Sequence, residues 1–189
     1  MKKLWWMAGI AMVVALTALP ALAQQDAAKK TPKPAPSLSQ GVADQWNDVG
    51  RKLVAIAEDL PEDKYSYKPN PESRTFVSQL IHAATAMYYF TDGAAGKKAR
   101  YGDDPKDAPK TKAELVAYVK KCIEDGAAVI KAKGDKGLME TVQSPYSGNY
   151  DRILDLAYGL IEHSGEHYGQ LVVYYRANGL VPPESRPKK

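Results

Sequence analysis

Four stretches of this chain repeat an apolar residue every three or four positions, and prolines and glycines between them keep each from running into the next. The first carries Val42, Trp46, Val49, Leu53, Ile56 and Leu60 and stops at Pro61. The second follows an N-cap at Thr75 and runs to about Thr91. Its apolar arc, with Phe76, Leu80, Ile81, Ala84 and Met87, is wide enough to predict a helix deep in the core. Thr111 and Glu114 make a capping box for the third, whose face is marked by Leu115, Val119, Cys122, Gly126, Val129 and Ile130, and Gly134 and Gly137 end it. The fourth runs from about Tyr150 to Asn178, with Gly179 as its C-cap and Pro182 and Pro183 beyond. No stretch alternates as a strand would. The expected fold class is therefore all-α, a four-helix bundle with long connections. The longest connection, Gly93 to Thr111, has a length that suits a lid.

Ahead of the bundle stand an export signal and a tether. Met1-Lys2-Lys3 precedes an apolar run from Leu4 to Leu19, and Pro20 and Ala21-Leu22-Ala23 follow with the small-x-small spacing that signal peptidase reads. The run falls short of the roughly 20 apolar residues that cross a bilayer. Residues 1–23 are thus expected to be a cleaved signal peptide, leaving a periplasmic or secreted product with no stable membrane anchor. Residues 24–37, rich in Ala, Lys, Pro and Gln, have the composition of a flexible linker. One domain is expected over 38–184, with a tail at 185–189. Loss of Lys2 and Lys3 leaves 24 basic against 22 acidic residues, so no excess charge invites nucleic acid. Cys122 is the only cysteine, which excludes an internal disulfide. Its place on an apolar stripe marks it as a small core residue rather than a nucleophile. No second apolar stripe marks a partner surface, and a homodimer is left open.

The chain has only three histidines. His163 and His167 stand four apart, one turn of the fourth helix, and share an arc with Ile153, Leu156, Leu160, Leu171 and Tyr174. Both rings therefore point into the bundle, where their nitrogens need partners. Spacing and phase leave two readings open. One is a metal ion, which satisfies two ring nitrogens at once; the other is a pair of core histidines hydrogen-bonded to some of the twelve tyrosines. Ser164, Gly165 and Gly169 are small and would let a backbone or ligand approach closely. His82 shares a strip of the second helix with Ser78, Thr85 and Tyr89, away from the widest apolar arc, so periodicity alone places it at the surface. If the strip faced a polar pocket, Thr85 and Tyr89 would be candidates to orient its ring. Glu166 turns away from the two histidines and is expected to be solvated. Tyr89, Tyr146 and Tyr150 are candidates to line a pocket, and no catalytic residue is assigned.

Arg74-Thr75-Phe76-Val77-Ser78-Gln79-Leu80-Ile81-His82, then His163-Ser164-Gly165-Glu166-His167-Tyr168-Gly169-Gln170, then Tyr175-Arg176-Ala177-Asn178-Gly179-Leu180-Val181-Pro182-Pro183, resemble the DinB-like superfamily. The resemblance covers nearly all of the chain from Leu38 onward. It implies a metal-binding four-helix bundle in which His82, His163 and His167 hold one divalent ion and leave positions open to water, as catalytic metals do. Zinc and nickel come first among the ions that suit imidazole. It implies a metal-dependent hydrolase or transferase acting on a small molecule, since relatives include transferases and isomerases that use a small thiol, and the signal sequence makes it an exported one. Export favours the hydrolytic version, because small-thiol pools belong to reducing compartments. The alternative is a non-catalytic module of the same fold that captures a metal ion or small ligand.

Overall fold

The computed structural model describes residues 33–100, 105 and 107–187. The expected signal peptide lies outside the described residues, as do most of the linker, residues 101–104 and 106 of the long loop, and the last two residues of the tail. Within Pro36–Lys189 the chain forms four helices: α1 (Leu38–Asp59), α2 (Phe76–Gly93), α3 (Lys112–Leu138) and α4 (Ile153–Ala177). Among the described residues no helix is long and apolar enough to cross a membrane.

The starts of the helices follow from capping chemistry. Ser37 accepts from Gln40 N at the head of α1, and Thr75 accepts from Ser78 N at the head of α2. At α3 the capping box is complete: Thr111 Oγ1 accepts from Glu114 N, and Glu114 accepts from Thr111 N. Gly179 takes φ +70 after α4, the left-handed conformation that a helix end demands and that glycine adopts without strain. Gly134 does not end α3. It adopts φ 58 and ψ −173 inside the helix, kinking it, and a final turn resumes as far as Leu138.

Around the bundle the helices run in the order α1, α3, α2, α4, so α1 lies diagonal to α2 and α3 diagonal to α4. Consecutive helices joined across a diagonal need long connections, which accounts for the segments 60–75 and 139–152. Trp46, fully buried on α1, donates its indole N–H to Ile123 O of α3 at 2.9 Å and packs on Phe90 of α2, ring centroids 4.9 Å apart. Cys122 is enclosed on α3, and burial pushes its thiol up to about 12, which leaves it unreactive as expected. At the far end of the chain Arg186 pairs bidentately with Asp59 at 2.6 and 2.7 Å and ties the residues past 184 to α1.

One element escaped the helical periodicity. Thr141–Gln143 (β1) and Tyr150–Arg152 (β2) pair antiparallel, with Val142 opposite Asp151, so Tyr150 belongs to a strand and not to the last helix. Strands of three residues are too short to display an alternating pattern. Their connection, 144–149, is closed by Ser144, whose Oγ accepts from Tyr146 N and Ser147 N, and by Gly148 at φ +72.

Candidate metal centre

The bundle order makes α2 and α4 neighbours along their length, which brings His82 to the face carrying His163 and His167. His82 is only 8% exposed, against the surface position its phase suggested. The reason lies in the helix. Fifteen residues of α2 are buried, so it has almost no outer face, and a strip that looks polar by composition still meets another element. The Thr85 hydroxyl donates to Ile81 O at 2.7 Å and meets the Tyr118 hydroxyl at 2.8 Å. On α4, His167 and Ser164 are buried and His163 half-buried, while Glu166 is exposed, as its phase required. Gly165 and Gly169 face open space, where an added Cβ would meet nothing within 4 Å, so they serve no close approach.

The three imidazoles converge. One nitrogen from each of His82, His163 and His167 lies within 4.8 Å of the other two. The ring centroids are 4.3 Å apart for His163 and His167, 4.7 Å for His82 and His167, and 5.3 Å for His82 and His163. His167 Nε2 and His163 Nε2 stand 3.0 Å apart. Two nitrogens about 2.1 Å from a common ion are separated by roughly 3 Å, so this pair already has the spacing of donors to one metal. Burial, and then the neighbouring His163 and His82, lower the His167 pKa to about 4, keeping the ring in the neutral state that a ligand requires.

Sequence reasoning overlooked the support for His167. Gln79, 2% exposed on α2 and one turn before His82, places its carboxamide against both His167 Nδ1 and Gln170 Oε1, and Gln170 Oε1 lies 3.2 Å from the same Nδ1. Two proton arrangements satisfy this cluster. With Gln79 donating to Nδ1, His167 Nε2–H is directed at His163. With the Gln79 and Gln170 carboxamides both turned, Gln79 Oε1 accepts from His167 Nδ1–H and from Gln170 Nε2, and the His167 Nε2 lone pair faces the common point. The second arrangement is the one a metal ligand needs. The signal for Gln79 was a polar residue in the wide apolar arc of α2, three positions from a histidine.

Beside the histidines lies a cavity of about 530 Å³ lined by His82, His163, Tyr89, Tyr146, Leu156 and Leu160, among others. Tyr89 of α2 and Tyr146 of the β1–β2 connection stack at 5.0 Å with an interplanar angle of 22° and form part of its wall. Tyr150, expected beside them, is 76% exposed and does not line it. Among the described residues the hairpin connection contributes to this wall and those between 94 and 111 do not. Ala94–Arg100 instead folds back on α2, where Arg100 donates to the buried Asp92 carboxylate from its backbone N at 2.8 Å and from Nη2 at 2.6 Å.

Residues 45–171 match the model of the DinB superfamily. Among solved structures, the chain is similar to a DinB-like protein from Bacillus subtilis, 22% identical, with a TM-score of 0.62, over 79% of this chain and 99% of that one. It is also similar to a DinB-like protein from Bacillus cereus, 19% identical, with a TM-score of 0.65, over 76% and 95% respectively. At these identities the likeness shows the four-helix fold. Comparison with curated proteins gave no match.

Proposed function

The chain belongs to the DinB superfamily, and from that premise we propose that it holds one divalent metal ion on His82, His163 and His167 and presents it to a small molecule in the adjoining cavity. The observation that carries this reading is that two of the three clustered imidazoles also line a cavity large enough for a small organic ligand. The donor set fits the ion. Three neutral nitrogens suit zinc or nickel and occupy only part of a coordination shell. When bound, such an ion supplies Lewis acidity and lowers the pKa of a coordinated group. The chain's own part is to hold the His167 imidazole in its neutral form, to fix that ring through Gln79 and Gln170, and to shape the cavity with the tyrosine pair.

The reaction class we propose is hydrolysis of a small ester or amide, in an exported protein. Export rests on the character of residues 1–23 and is tested by the N-terminal residue of the protein recovered outside the cytoplasm. Capture without turnover is the second reading, favoured by the exposure of Glu166 and by the commitment of Asp155, a carboxylate lining the cavity, to Arg152 at 2.8 and 2.9 Å. Metal content of the purified chain decides the common ground: about one zinc or nickel per chain is expected, lost in His163→Ala. A wild-type content near zero after exposure to zinc, nickel and manganese ends both readings. Turnover of an ester and amide panel that vanishes on chelation selects the enzyme.

A further inference from the structure

The cavity beside the histidines has a sign. Of the side chains that line it, Asp151, Asp155 and Glu162 are carboxylates, and none is a lysine or arginine. Arg152 neutralises Asp155, whereas no cation among the lining residues answers Asp151 or Glu162. Their placement follows from local structure. On β2 the residues alternate, Tyr150 and Arg152 exposed and Asp151 half-buried, so the acid is the one turned toward the interior. On α4, Asp155, Gly159, Glu162 and His163 follow the i, i+4, i+7, i+8 stripe that lines the cavity, the two carboxylates on its solvent-exposed side. The rest of the lining is of another kind: the stacked rings of Tyr89 and Tyr146 and the apolar Ala86, Leu156 and Leu160.

We propose that this cavity selects a small organic cation, a molecule with an ammonium head and an aromatic or apolar body. The head is held by Asp151 and Glu162, and the body lies against the tyrosine pair and the leucines. The cavity makes the site; the carboxylates set its preference. An ammonium gains Coulomb attraction from two carboxylates and, near the tyrosine faces, from the ring quadrupoles. An aromatic body gains stacking and apolar burial. A ligand with free carboxylates, as many small-thiol cofactors have, meets like charge at the same place. The inference rests on this cavity being the substrate side of the proposed centre and deepens that reading by naming the substrate class.

Three probes that share one ring separate the contributions: tyramine, neutral 4-ethylphenol and anionic 4-hydroxyphenylacetate, each titrated by calorimetry into the full chain freed of metal by chelation. Tyramine is expected to bind about tenfold more tightly than 4-ethylphenol, with the anion weakest. The gap should narrow in 1 M salt and close in the Asp151→Asn/Glu162→Gln double variant, whose affinity for 4-ethylphenol is unchanged. Tyr146→Ala should weaken tyramine and 4-ethylphenol together. Equal affinity of the three probes, tightest binding of the anion, or no binding of tyramine at millimolar concentration overturns the proposal. The wild-type series needs no variant to fold and no metal to bind. A chain that prefers tyramine yet takes up no zinc therefore upholds the cation site while removing the metal reading.

Discussion

Gln79 shows how much of a metal site rests on side chains that never touch the ion. Its carboxamide has a donor end and an acceptor end, and only the acceptor end leaves His167 Nε2 with a lone pair for the shared point. Glu at this position can only accept when ionised, and Met of similar shape can do neither. Gln79→Glu is therefore expected to retain or tighten zinc binding, whereas Gln79→Met weakens it about 10- to 100-fold, as measured by competition with a chromophoric chelator. Equal losses in the two variants would show that Gln79 acts through packing alone. The His167 ring also gives the metal-free protein a pH dependence of known sign. In the fold it takes up a proton only near pH 4, while in the unfolded chain it does so near 6.5. Between these values the unfolded state binds more protons, so stability is full above about pH 6.5 and falls as pH drops toward 4. Urea unfolding of chelator-treated protein should show a loss of about 1–2 kcal/mol from pH 7.5 to 5.0, reduced in His167→Gln. Of the site, the H-x-x-x-H pair was legible because both residues lie on a well-marked apolar arc. His82 was not legible from periodicity, since an enclosed helix offers no outer face against which phase can be read. Gln79 passed unnoticed because one polar residue among apolar neighbours does not disturb the pattern.

At the level of elements, small residues decide how closely α1 and α3 approach. A Cβ added at Gly126 would stand 2.0 Å from Trp46 Cζ2, and one at Gly50 would stand 2.5 Å from Ile123 Cγ2. Trp46 has no room to yield, being fully buried with its indole N–H committed to Ile123 O. Gly126→Ala should therefore destabilise the protein by about 1–3 kcal/mol or more through overpacking. Gly165→Ala and Gly169→Ala, on the open side of α4, should each stabilise it by about 0.5–1 kcal/mol through helix propensity. Chemical denaturation of the three variants checks both signs, and a neutral Gly126→Ala would mean that the helices can separate freely. The four helices were legible because their apolar repeats are long and their caps, Thr75, Thr111 with Glu114, and Gly179, are chemically specific. The β1–β2 hairpin was invisible for the opposite reason: three residues on a side carry no period, and its placement depends on tertiary contacts such as the Tyr89–Tyr146 stack.

Across the whole molecule, the histidine cluster draws together elements that sequence holds far apart. His82 and His167 are separated by 85 positions, including α3 and the hairpin, and they meet only because the diagonal order of the bundle sets α2 beside α4. The unfolded chain has no reason to hold these rings near one point, so a metal that binds the cluster binds the folded state in preference and stabilises it by mass action. At a free zinc concentration 100 times its dissociation constant the gain is about 2.7 kcal/mol. For a domain of this size that corresponds to a rise in Tm of roughly 5–10 °C. Calorimetric melting should show this rise in the wild type and lose it in His163→Ala, whose metal-free Tm need not fall far because that ring is only half-buried. An equal rise in both proteins would place the zinc elsewhere. No rise in either would mean that the rings pack together as partners of one another, with the 3.0 Å contact between His163 Nε2 and His167 Nε2 a hydrogen bond rather than the spacing of two donors to one ion.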